Sequence, residues 1–156
     1  MKIYVAELKI IVGIMAFADL MWLGIVVLIN RKWARAIWKV VNFIGGLISI
    51  YGILSYTVLN RTPSDNHIFT FFASYTNEFY REMLMNAFLY FPFGLTLSSL
   101  IGPVSILIAF ILSLTIETWQ YLTGSGVAQG TDVLMNILGA AIGVVPWMVW
   151  RSNTIE

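Results

Sequence analysis

Long apolar runs separated by short polar punctuation dominate the chain. The first, residues 10–30, is about 21 residues long and carries one carboxylate, Asp19, near its middle. At about 1.5 Å per residue such a run crosses the hydrocarbon core of a bilayer. It exceeds the apolar region of a signal peptide and leads into Arg31-Lys32-Trp33 rather than a small-residue cleavage site. It therefore predicts a retained transmembrane helix. Arg31, Lys32, Arg35 and Lys39, with Trp33 and Trp38, predict a basic interfacial turn over residues 31–39. Residues 40–60 carry no charge and predict a second helix, in which Gly45-Gly46 permits close contact or bending.

Residues 61–85 form the one sizeable loop, opened by the turn residues Thr62-Pro63-Ser64-Asp65-Asn66. Ile68, Phe72, Tyr75, Phe79 and Met83 then recur at helical spacing, with Asn77, Glu78, Arg81 and Glu82 elsewhere on the wheel. This predicts a short amphipathic helix in the membrane interface, against the alternative of an extension of the next span. Residues 83–116 are free of charge and too long for one crossing; Gly102-Pro103 divides them into a third helix near 83–101 and a fourth near 104–122. Pro92 should kink the third. A fifth helix follows Thr123-Gly124-Ser125-Gly126, starting near Asp132 and ending at Trp150, with Gly139 and Gly143 spaced for close helix packing.

Composition agrees. Of 156 residues, 59% are hydrophobic and 11% charged, with a mean hydropathy of +0.83, far from the balance of a water-soluble domain. The expected fold class is an all-α integral membrane protein, a bundle of five transmembrane helices with a short interfacial helix before the third. A net charge of +1 gives no ground for a nucleic-acid partner, and the absence of cysteine excludes disulfides and thiolate chemistry. His67, the sole histidine, stands beside a turn and reads as a surface residue rather than a ligand.

Placing the 31–39 turn in the cytoplasm puts the N-terminus outside and the C-terminus inside. Five cations (Arg31, Lys32, Arg35, Lys39, Arg151) then lie inside against four outside (Lys2, Lys9, Arg61, Arg81). Independently of sidedness, helix direction gathers the intramembrane polar residues. Asn86 lies near the start of the third helix, Glu117 and Gln120 near the end of the fourth, and Asp132 and Asn136 at the start of the fifth. All five fall in one leaflet, and the i, i+3 and i, i+4 spacings put each pair on one face. Polar groups at this depth are costly unless they serve a purpose or pair together.

The series Asn86, then Phe91-Pro92-Phe93-Gly94, then Glu117 with Gln120, then Asp132, Asn136, Gly139 and Gly143 resembles the VanZ-like family of bacterial membrane proteins. The resemblance runs over about residues 51–150, with Asn60-Arg61 similar to the residues after the family's first helix. Residues 1–50 then supply an additional helix, the basic loop and the start of the second helix. The family's loop arginine and its acidic residue before the aspartate correspond to Gly126 (or Ser125) and Gln129 here. The expected pocket is therefore more acidic than its relatives' and lacks their cation. The resemblance implies a plasma-membrane protein of the cell envelope, linked through the founding member to resistance to the glycopeptide teicoplanin, and it implies no reaction.

Three functions compete. The first is a non-enzymatic protein binding a lipid-linked wall intermediate or a lipoglycopeptide through Asn86, Gln120 and Asn136, with membrane lipid as a further partner. The second is an enzyme on a lipid headgroup, with Glu117 and Asp132 as acid and base. These carboxylates could also hold Mg²⁺ or Ca²⁺, though no spacing demands a metal, and no other cofactor is expected. The third is a small transporter using Asp19, for which a homo-oligomer would compensate the short chain. Against all three stands a structural reading: the amides tie helices together, Asp19 makes a packing hydrogen bond, and Pro92, Gly94, Gly139 and Gly143 only shape helix contacts.

Overall fold

The computed structural model describes residues 31–72 and 76–152. Residues 10–30 and Asp19, the expected first span, lie outside the described residues. Among the described residues four helices are long and apolar enough to cross a membrane. They are α1 (Arg31–Leu54), which continues as a π-helical turn over Ser55–Leu59, α2 (Asn77–Ile101), α3 (Val104–Thr123) and α4 (Gly130–Ser152).

The helix ends follow local chemistry. The Thr76 side chain accepts from the Phe79 N–H at 3.2 Å and starts α2. Gly102, at φ 65°, ends it just before Pro103. Gly124 closes α3 in the left-handed conformation at φ 59°. Asp132 lies in the first turn of α4 and Arg151 in its last, each favourable to the helix dipole.

Two expectations are corrected. The basic segment 31–39 is not a turn: it is helical as part of α1, whose span begins at Ala36. It contains neither glycine nor proline, and long basic side chains can reach the interface from a helix without breaking it. Nor, among the described residues of Ile68–Met83, is there a separate interfacial helix. Ile68–Thr70 is a strand, β1, and the helical part of the segment from Asn77 is the beginning of α2. The run Ile68-Phe69-Thr70 suits a strand, and Val127–Gln129, β2, offers it a partner; the two pair in parallel, with Ile68 opposite Val127, Phe69 opposite Ala128 and Thr70 opposite Gln129.

The core is small and sits between the helices: Ile53, Leu89, Tyr90, Phe93, Ala109, Ile116 and Ala140. Around it the outer surface is apolar, with Phe43, Leu47, Phe88, Ile111 and Ile142 all exposed, as a lipid-facing surface requires. The closest packing joins α2 to α4. A Cβ on Gly139 would stand 2.8 Å from Ala87 Cα and closer still to its carbonyl oxygen. Gly143 meets the Phe91 carbonyl, and Gly94 meets the backbone of Ala140 from the other side. Pro92 lies inside α2, which continues on both sides of it, and Thr96 Oγ1 donates to the Pro92 carbonyl at 2.8 Å.

Candidate functional site

At one end of the bundle the connections between helices are laced together. Ser64 N–H donates to the Thr123 carbonyl at 3.1 Å, and Ser64 Oγ to the Gly124 carbonyl at 2.5 Å. His67 Nδ1 lies 2.7 Å from the Tyr121 carbonyl, so that nitrogen carries the proton. The exposed histidine is thus a fastener for its loop. Thr131 N–H donates to the Phe71 carbonyl at 3.2 Å, and the Phe71 ring fills the space a side chain at Gly130 would need. The β1–β2 pair completes this cap.

Beneath the cap, Glu117 is 7% exposed, and its Oε2 accepts from the Gln129 N–H at 2.8 Å. Asp132 lies within electrostatic reach of Glu117, with the Asn86 carboxamide beside its carboxyl group. Helices α2, α3 and α4 therefore each deliver one member of this group. Gln120 points elsewhere: its Nε2 donates at 3.0 Å to the Thr57 carbonyl in the π-helical turn, tying α3 to the end of α1. Asn136 sits one turn deeper, where its Nδ2 donates to Ser113 Oγ at 2.8 Å. Its Oδ1 is buried without a partner, as is the hydroxyl of Tyr90, which lies beside Ser113 without a well-formed hydrogen bond.

The site does contain a cation. Arg61, in the loop that follows the π-helical turn, lies within electrostatic reach of both Glu117 and Asp132. Its Nη1 occupies the place a Cβ on Gly126 would take, with Cζ 3.4 Å and Gln120 Oε1 3.5 Å from that point. The missing loop side chain makes room for an arginine from elsewhere. The departure at Gly126 stands in the sequence, and a cation from a different loop, Arg61, lies near the carboxylates.

Glu117 also forms part of the wall of a cavity of about 550 Å³. The remaining lining is mostly apolar, including Phe69, Phe71, Leu114, Val133 and Leu134, and Leu114, Tyr121 and Leu134 are exposed on the outer surface. The cavity therefore opens sideways, toward the face that meets lipid. Among the described residues no group of three or more histidine or acidic side chains is placed to hold a metal ion.

The family model described as VanZ/LLP1 matches residues 2–151. The chain belongs to the VanZ/LLP1 family. Protein VanZ of Enterococcus faecium is 35% identical over 69 residues, which are 42% of this chain and 43% of that protein. The aligned part thus spans less than half of the curated relative. No solved structure matches the chain significantly.

In this VanZ/LLP1 protein, four contributors to this end of the bundle carry little signal in the sequence. The Gln129 N–H is a backbone group and leaves no trace in residue type. Tyr90 and Ser113 read as ordinary members of apolar helices. Arg61 is legible as a loop cation and as part of the Asn60-Arg61 pair that resembles the family, but its place in the pocket is signalled only by the glycine across from it.

Proposed function

We propose that this multi-pass membrane protein binds an amphiphile of the cell envelope, a lipid-linked wall intermediate or an amphiphilic antibiotic, and contributes thereby to glycopeptide (teicoplanin) resistance. The supporting observation is the double position of Glu117, which lines the lateral apolar cavity and belongs to the polar group with Asn86 and Asp132. A hydrocarbon chain entering from lipid would lie against Leu114, Val133 and Leu134, with its headgroup at the carboxylates. Small-ligand sites are of this kind, mainly apolar with a few convergent polar groups. With the N-terminus outside, the cap and this site face the outer leaflet, where such ligands are found. The test is growth under lipid-tailed glycopeptides of a deletion strain and a Glu117→Ala strain. Both should become more susceptible, and unchanged susceptibility in both would overturn the reading.

A second reading is an enzyme acting on a lipid headgroup, with Glu117 and Asp132 as acid and base. It draws on the two acidic groups lying within each other's field in a poorly hydrated place. Incubating purified protein with labelled lipid intermediates should then yield product, and no turnover across a broad panel removes it.

A further inference from the structure

The wall of the lateral cavity is graded along its length. At the cap end stand the rings of Phe69, Phe71 and Tyr121; toward the middle of the bundle stand Leu114 on α3 and Leu134 on α4. Glu117 lies between, about one turn from Leu114 and one from Tyr121. Among the described residues it is the only charged side chain on this wall, and no lysine, arginine or histidine joins it. Its Oε2 takes the Gln129 N–H, and among the described residues no other hydrogen bond reaches this buried carboxylate, which has acceptor sites for about four. The Phe71 ring is fixed over the same wall. Gly130 leaves room for it, where a Cβ would stand 2.7 Å from Phe71 Cδ2, and the Thr131 N–H holds the Phe71 carbonyl.

We infer that the cavity is a site for a lipophilic amine, its ammonium on Glu117 beneath the aromatic rings and its hydrocarbon tail along Leu114 and Leu134. This rests on the amphiphile-binding reading above and names the ligand's chemical class. A buried carboxylate is costly without an opposite charge. A primary ammonium supplies that charge, together with three N–H donors for the unused acceptor sites. Aromatic faces attract a cation as well, and offer no such attraction to an alcohol or an anion. Tail and carboxylate adjoin on the wall, so the amine is joined directly to the hydrocarbon, with no phosphate between them. The order suits a bilayer, with the tail toward the midplane and the ammonium toward the cap. A Glu117 that served only to hold Gln129 makes a different prediction: the cavity would then take hydrocarbon tails without regard to the headgroup.

The experiment measures binding of radiolabelled dodecylamine, dodecyltrimethylammonium, dodecanol and dodecanoate to the purified full-length protein in phosphatidylcholine nanodiscs, with empty nanodiscs subtracted. At neutral pH dodecylamine should bind about tenfold tighter than dodecanol, the scale of one charge-assisted contact, and dodecanoate should bind weakest. Dodecyltrimethylammonium keeps the charge and lacks the N–H donors, so it should fall between amine and alcohol. Glu117→Gln, which keeps an acceptor for the Gln129 N–H, should bring the amine down to the level of the alcohol. Phe71→Leu should weaken both cations about threefold and leave the alcohol unchanged. Leu134→Trp, which fills the apolar end, should weaken all four. Equal binding of amine and alcohol by the unsubstituted protein overturns the amine assignment while leaving amphiphile binding intact. An amine preference that survives Glu117→Gln overturns Glu117 as its seat. Absence of binding by all four overturns both readings. The comparison of the four compounds on the unsubstituted protein decides the matter even if a variant fails to fold.

Discussion

Gln129 donates its backbone N–H to Glu117 Oε2 at 2.8 Å, so the acid at the centre of the site also holds the strand that covers it. Replacement by glutamine retains an acceptor of the same shape, whereas alanine leaves the N–H without its partner. Glu117→Ala should lower stability by roughly 1–3 kcal/mol, the cost of a buried unsatisfied group, and Glu117→Gln by clearly less. Thermal unfolding in detergent would read the difference. Equal losses would mean that the contact does not stabilise the cap.

The α2–α4 contact predicts an asymmetry between glycines. Gly139→Ala would drive a methyl group into the Ala87 carbonyl, and overpacking of this kind costs about 1–3 kcal/mol. Gly52 has nothing within 4 Å of an added Cβ, so Gly52→Ala in α1 should be neutral or stabilising by up to about 1 kcal/mol, the helix-propensity gain. Melting temperatures of the two variants should move in opposite directions or differ plainly in size.

Ser113 and Asn136 join α3 to α4 through a hydrogen bond of 2.8 Å. A double-mutant cycle with Ser113→Ala and Asn136→Ala should give a coupling of about 0.6 kcal/mol and no more than about 1.7 kcal/mol, the mean and maximum for interhelical hydrogen bonds in membranes. A coupling of zero would show that the pair does not contribute.

Parallel pairing of β1 with β2 predicts a cross-link. Phe69 stands opposite Ala128, and neighbouring strands bring Cα atoms within disulfide reach. The chain has no cysteine of its own. Phe69→Cys combined with Ala128→Cys should therefore form one intramolecular disulfide under mild oxidation. Phe72→Cys combined with Ala128→Cys, out of register, should form it far less readily. Equal yields would contradict the register.

Much of the bundle was legible because its signals are long. Gly102-Pro103 divides α2 from α3 as the pattern requires, and helix direction alone brought Asn86, Glu117 and Asp132 to one end. The cap was hidden for a physical reason. A three-residue strand has too few alternations to outweigh a helical spacing, and β1 exists because β2 lies beside it, a fact of tertiary structure. Gln120 and Asn136 were grouped with the site by spacing, yet Gln120 reaches the Thr57 carbonyl and Asn136 reaches Ser113. Periodicity says which face a side chain shares, not which neighbour it finds. Arg61 entered the pocket through an empty position, and an empty position is hard to read from one sequence.

The strand pair sets an order of assembly. β1 leaves the ribosome about sixty residues before β2, and two membrane crossings must be completed between them. Until then β1 waits at the membrane surface with its edge unpaired, and Glu117 has no Gln129 to hold. Closing so long a loop costs little once α2 and α3 have brought its ends together. The cover of the site is therefore finished only once β2 has followed α3, so a chain halted during synthesis before Gln129 would carry the carboxylate without its lid.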